Sequence, residues 1–238
     1  MVTEKFKNMA LSFAGCDGGN LQSEVWFCGM EWGGTQNNDE KIASDFDAQP
    51  EPTCWQDKNF EGSWNAQYNQ KICWFLHYFY DFYWEKMSYQ QFVETYKIMY
   101  RKPDGCGFKM NMFPIRFKGR KDVKWNELLD KATGFDSFHA YREWCVTHRG
   151  AFFREQMRKN QPKLVMCTGI EEKENFFRFF AGEANYQTLD CSRFTLFYAM
   201  HGNTLVCVSP FWGGKNGINS YEKMEVLVRK VQDLLRKS

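Results

Sequence analysis

No stretch of this sequence approaches the roughly 20 consecutive apolar residues that cross a bilayer, which excludes a helical span within it. The opening residues, MVTEKFKNMA, carry no signal-peptide core. The expectation is a soluble, cytoplasmic protein without a membrane partner. Also missing is any CxxC spacing among the nine cysteines, and with it the paired ligands that zinc sites and iron–sulfur clusters draw on. Neither a metal nor a cofactor is expected. An odd number of thiols scattered through apolar segments suits reduced, buried side chains without disulfides. Charge of one sign is lacking as well: 31 Lys and Arg against 29 Asp and Glu leave a formal +2. That rules out a global basic field, so any nucleic-acid surface must be local.

What is present is apolar and aromatic. With 238 residues, 43% hydrophobic and 18% aromatic, the chain suffices for one α/β domain with a substantial core, taken here as residues 1–238. The aromatics supply bulk for that core and planar faces on which bases can stack. Val25 to Cys28 read as a fully buried strand, and the following GMEWGG places one carboxylate, Glu31, among glycines. Ligands in open α/β sheets sit beyond the carboxyl ends of the strands, so a loop of this composition is a candidate site. Gly33 and Gly34 allow close backbone approach there.

Residues 35 to 65 are polar and irregular and are expected to form a long loop. Helices follow over 66 to 86 and from Ser88 to 100. Phe108 to Met112 form a second strand that carries Asn111 and ends before Pro114. A buried amide without a partner would cost about 1 to 3 kcal/mol, so Asn111 either bonds neighbouring backbone or meets a ligand edge. Next comes a local basic patch of Arg116, Lys118, Arg120, Lys121 and Lys124. One broken helix or two short ones cover 135 to 159, where Arg149, Arg154, Arg158 and Lys159 add positive charge. A third strand spans Leu164 to Thr168, and a helix starts near Glu171. Residues 194 to 200 and 204 to 208 flank an HGN turn containing His201, which makes one late strand antiparallel. The last strand stops at Ser209-Pro210, and FWGGKNGINS leads into an amphipathic helix in which Asn219 and Glu222 form a capping pair.

Three strand ends therefore converge: GMEWGG, MNMFPI and VSPFWGGKNGINS. In this order they resemble the motifs of the uracil-DNA glycosylase superfamily. FCGMEWGG is similar to the FCGINPG-type motif of its mismatch-specific uracil and thymine branch, with Glu31 where that branch has Asn and the uracil-specific branch has Asp. Asn111 is similar in setting to the Asn that reads the pyrimidine edge, and Ser209-Pro210 resembles the His-Pro opening of the last motif. The resemblance implies a three-layer αβα sandwich around a mostly parallel sheet of four or five strands. It also implies a monomeric, monofunctional DNA glycosylase that flips a pyrimidine from duplex or single-stranded DNA and leaves an abasic site.

By that resemblance Glu31 and Ser209 are the catalytic candidates. Gly29, Met30, Trp32, Gly33, Asn111 and Phe113 surround the base, and Phe211, Trp212, Gly213, Gly214, Lys215 and Asn216 contact DNA. Phe211 or Trp212 wedges into the gap left by the flipped base, and Lys215 meets phosphate. Two departures stand out. Trp32 replaces the proline that usually follows the first acidic position, and the supporting His is absent, its place open to the backbone N–H groups of residues 209 to 214. Gly33 stands where the uracil-specific branch has a tyrosine beside pyrimidine C5, so a 5-modified base fits: thymine, hydroxymethylcytosine or a glucosylated form found in phage DNA, the last implying antiviral defence. The alternatives are uracil/thymine mismatch repair, a nucleic-acid-binding protein of the same fold without turnover, and a hydrolase of free nucleosides.

Overall fold

The computed structural model describes residues 1–30, 46–57, 62–117 and 125–237. Its strands are Gly18–Gly19 (β1), Val25–Gly29 (β2), Phe108–Asn111 (β3), Leu164–Thr168 (β4), Gln187–Asp190 (β5), Thr195–His201 (β6) and Thr204–Ser209 (β7). They form one mixed sheet in the order β1-β3-β2-β4-β7-β6-β5. The inner four, β3, β2, β4 and β7, run parallel. Antiparallel strands flank them: β1 on one side, and β6 with β5 on the other. The expected four or five strands thus become seven. The additions lie at the edges, where the pattern is weakest: β1 is two glycines, and QTLD of β5 is mostly exposed and carries no apolar alternation.

The helices are Glu4–Ala10 (α1), Gln67–Tyr80 (α2), Tyr89–Thr95 (α3), Glu127–Thr133 (α4), Phe138–Trp144 (α5), Gly150–Asn160 (α6), Lys173–Ala181 (α7) and Tyr221–Lys237 (α8). Alternate strand residues pack to opposite sides. Trp26, Cys28, Met110, Val165 and Cys167 meet Phe6 of α1, Tyr141 of α5, Phe153 of α6 and Phe176 of α7. Val25, Phe27, Met166 and Cys207 meet Phe75 of α2, Phe92 of α3 and Leu227 of α8. Cover on both faces is why the parallel strands read as continuous apolar runs rather than alternating ones. All nine cysteines are free thiols, and all but Cys106 are buried. No helix among the described residues is long and apolar enough to cross a membrane.

Several boundaries differ from the sequence expectation for local reasons. α2 stops at Tyr80 because Asp81 takes a left-handed conformation (φ 55°). The aromatics that continue the pattern fold back onto α3 instead, with Trp84 stacked on Phe92 and Phe82 on Tyr96, both at 4.0 Å. α3 begins in a capping box made by Ser88 and Gln91. At α8 the expected Asn219–Glu222 cap is replaced: Ser220 Oγ accepts from the Lys223 N–H at 3.3 Å, while the Asn219 amide donates to the Gly214 carbonyl at 2.9 Å. His201 is the last residue of β6, paired with Thr204, and not part of the turn.

Between α5 and α6 the helix widens into a π-turn, Cys145–Arg149, which delivers Arg149 into the core fully buried. Among the described residues no carboxylate meets it. Its Nη1 donates to the carbonyls of Ala10 (2.6 Å) and Ser12 (3.1 Å), and its Nη2 to those of Ala14 (2.8 Å) and Asn111 (3.4 Å). The guanidinium thereby ties the turn after α1 to the end of β3. Arg149→Met removes charged donors from four carbonyls at once, and urea unfolding is expected to show a loss of about 3 to 5 kcal/mol. A loss under about 1 kcal/mol would mean that water or backbone rearrangement replaces these bonds.

Candidate functional site

The chain passes from β2 to β3 on one side and then returns to β4 on the other, so the strand order reverses at β2. The crevice beyond the carboxyl ends at such a switch point is the expected ligand site of an open α/β sheet. Here the last residues of the four parallel strands make a single row. Asn111 pairs with Gly29, Thr168 pairs with Ser209, and the Cys28–Cys167 pairing aligns the two halves one step before. By two-residue alternation the side chains of Asn111, Thr168 and Ser209 share the face of Phe27, Met166 and Cys207, the face covered by α2. Gly29 leaves the middle of the row without a side chain.

Asn111 is buried, and its amide orientation is set by a backbone group. Nδ2 donates to the Gly15 carbonyl at 3.0 Å. A carbonyl only accepts, so the amide nitrogen must face it and Oδ1 must face the other way. Oδ1 accordingly overhangs β2, 2.7 Å from where a β-carbon on Gly29 would sit. Gly15 has φ +77°, and a β-carbon there would meet the Pro114 backbone at 2.8 Å, so this turn requires glycine on two counts.

One row below, on the same face, lies a charged group that sequence reading missed. Lys109 is buried in β3 and makes an ion pair with Asp17 and a 2.9 Å hydrogen bond to Asn69 Oδ1. Tyr68, at the start of α2, bridges the strand ends. Its ring lies 5.1 Å from Lys109 Nζ above β3, and its hydroxyl accepts from Thr168 Oγ1 on β4 at 3.1 Å. Since β2 separates β3 from β4, the ring crosses over β2. Burial pushes the Tyr68 phenol well above its ordinary range, which keeps it protonated. A lysine inside the apolar FKMNMF segment and an acid inside AGCDGGN were the readable signals for the ion pair. Tyr68 follows an irregular loop and carried none.

The last loop divides the other candidates. Ser209 is fully buried; its hydroxyl accepts from Trp212 Nε1 at 2.9 Å and donates to the Pro210 carbonyl at 3.0 Å. The catalytic expectation for Ser209 is corrected accordingly, because both roles of the hydroxyl serve the loop. Trp212 is fully buried too, stacked on Phe75 at 5.4 Å, so it anchors the loop and is no wedge. Phe211 is 49% exposed and lies parallel to the Tyr68 ring at 5.9 Å, which leaves it as the wedge candidate. Gly214, Lys215 and Asn216 are exposed around it, whereas Gly213 is buried.

Phe113 is corrected as well. Its ring is buried on the opposite face of the sheet, beside Tyr141 and 5.2 Å from the Arg142 guanidinium, and only its N–H, bonded to the Met30 carbonyl at 2.7 Å, reaches the strand end. Met30 lies against Gly169 at the mouth of β4. Glu31, Trp32 and Gly33 fall outside the described residues, as do Lys118, Arg120, Lys121 and Lys124 of the basic patch. Further along, Arg154 is spent on the carbonyls of Arg178 and Phe179, and Arg158 and Lys159 pair with Glu155.

Fold and chemistry thus mark a candidate site at the carboxyl edge of an α/β sheet, with an oriented amide acceptor, a phenol kept protonated by burial and an exposed aromatic beside it. No protein-family model matches the sequence, and no curated protein does. The notch at Gly29 can be tested directly. Gly29→Ala places a methyl group against Asn111 Oδ1, with an expected stability loss of about 1 to 3 kcal/mol and a displaced Asn111 side-chain amide resonance by NMR. An unmoved resonance would mean the notch is wider than the backbone geometry gives.

Proposed function

We propose that this protein is a monofunctional DNA glycosylase with a uracil-DNA glycosylase-like, three-layer architecture. It hydrolyses the N-glycosidic bond of a flipped pyrimidine, with 5-modified bases as the favoured substrates and antiviral defence as the corresponding role. The observation that carries this reading is Asn111. An amide held with its oxygen over Gly29 at the switch point suits the reading of a donor on a base edge, such as N3–H of uracil or thymine or the exocyclic amine of cytosine. Phe211 at the rim suits a wedge, and Lys215 beside it suits a phosphate. Glu31, two residues beyond Gly29 in sequence, supplies the carboxylate that stabilises an oxocarbenium-like sugar or orients water.

The deciding measurement is abasic-site formation on oligonucleotides carrying uracil, thymine mismatches, 5-hydroxymethylcytosine and its glucosylated form. Release of uracil alone would remove the 5-modified preference. Salt-dependent DNA retention without release would leave a binding protein, and no retention with hydrolysis of free nucleosides would leave a nucleoside hydrolase.

Two variants sharpen the assignment. Glu31→Gln deletes charge while keeping shape, so single-turnover base release is expected to fall about 10² to 10³-fold, or roughly 3 to 4 kcal/mol, with DNA affinity retained. A near-wild-type rate would make Glu31 a bystander. Lys215→Ala should weaken binding to all sequences alike and lower the salt slope by about one contact. An unchanged slope would take Lys215 out of the interface.

A further inference from the structure

Glycoside hydrolysis needs a donor for the departing base as well as a carboxylate for the sugar. In this chain the His that the resemblance leads one to expect is absent, and Ser209, which stands in its place, has its hydroxyl engaged by Trp212 and Pro210. The donor must therefore come from elsewhere in the crevice, and the row of strand ends narrows the choice. The Asn111 oxygen is an acceptor, Gly29 has no side chain, and the Thr168 hydroxyl already donates to Tyr68. Tyr68 remains. Because its oxygen accepts from Thr168, its own hydrogen points elsewhere, and among the described residues no acceptor takes it. The ring spans from Lys109 on β3 to Thr168 on β4 and so crosses the notch at Gly29, one strand away from the Asn111 amide.

We propose that Tyr68 is a catalytic residue of the glycosylase reaction, its phenolic O–H donating a hydrogen bond to the pyrimidine carbonyl on which negative charge develops as the base departs. This assignment rests on the glycosylase reading above. In the step, a water oxygen forms the bond to C1′ while the C1′–N1 bond breaks. The bonding electron pair passes to N1 and is delocalised onto the ring carbonyls; the water gives up a proton to solvent or carboxylate, and the base anion later takes one from solvent. Tyr68 transfers no proton. It stabilises the anion in place, as preorganised donors do in a water-poor site. The Thr168 hydrogen bond and the flanking rings of Phe211 and Trp212 hold it there. Burial, which keeps the phenol protonated, keeps the donor available through the neutral and alkaline range.

The test is Tyr68→Phe in the full-length chain, which keeps the ring and deletes the donor. Single-turnover release is measured on matched oligonucleotides carrying thymine, uracil and 5-fluorouracil, beside equilibrium binding and thermal unfolding of the same variant. Release of thymine and uracil is expected to fall about 10² to 10³-fold with binding unchanged. The loss should be smaller for 5-fluorouracil, whose anion is already stabilised by the electron-withdrawing substituent. Thr168→Val should reproduce part of the effect by freeing the phenol to rotate. Equal rates for wild type and Tyr68→Phe, or a loss of the same size for all three bases, overturn the assignment and leave the glycosylase reading standing. Failure of the wild type to release any of the bases tested overturns both.

Discussion

A guanidinium buried without a carboxylate is costly unless every direction it points in ends on an acceptor. Arg149 comes close to that condition, and largely with backbone: its two terminal nitrogens reach the carbonyls of Ala10, Ser12, Ala14 and Asn111, while its Nε is left without a partner among the described residues. The rest of the site depends on this. The turn it gathers includes Gly15, whose carbonyl fixes the Asn111 amide, and it leads into Asp17, which neutralises Lys109. One side chain from the helical layer thus holds a loop on which both the Asn111 amide and the Lys109–Asp17 pair rely.

The crevice itself follows from register. Four parallel strands end level with one another, and alternation sends three polar side chains and one glycine to the same face. Tyr68 and Asn69 of α2 close that face from the side, so polar groups concentrate at the carboxyl edge while the rows nearer the amino ends are apolar. Such an edge joins a rigid scaffold to a loop of exposed residues, Phe211 and Gly214 to Asn216.

The parallel core was legible because its strands are buried on both faces: Val25 to Cys28 and Leu164 to Thr168 stand out as unbroken apolar runs. Asn111 was legible for the opposite reason, as a polar group at the end of such a run. The edges were not, since two glycines and an exposed QTLD segment carry no periodic signal. Nor could sequence tell Phe211 from Trp212, adjacent aromatics in a glycine-rich loop, one at the surface and one beneath it. That division depends on a tertiary bond, Trp212 Nε1 to Ser209 Oγ, which also converts a presumed catalytic hydroxyl into a structural one. Lys109, Asp17 and Tyr68 come from three distant segments, and their meeting depends on strand order, which local pattern does not encode.

The π-turn at Cys145–Arg149 has a consequence for how such a chain can vary over evolutionary time. A wide turn amounts to one residue more than an α-helix would use, and each helical residue advances the direction of the side chains by about 100°. Deleting a single residue there would restore regular winding and swing either Arg149 or the whole of α6 out of phase with its neighbours. Side chains around the sheet can be exchanged one at a time, but the count of residues between Trp144 and Gly150 is locked to the position of the Asn111 amide on the far side of the layer. Descendants of this chain should therefore gain and lose residues in the loops long before they do so here.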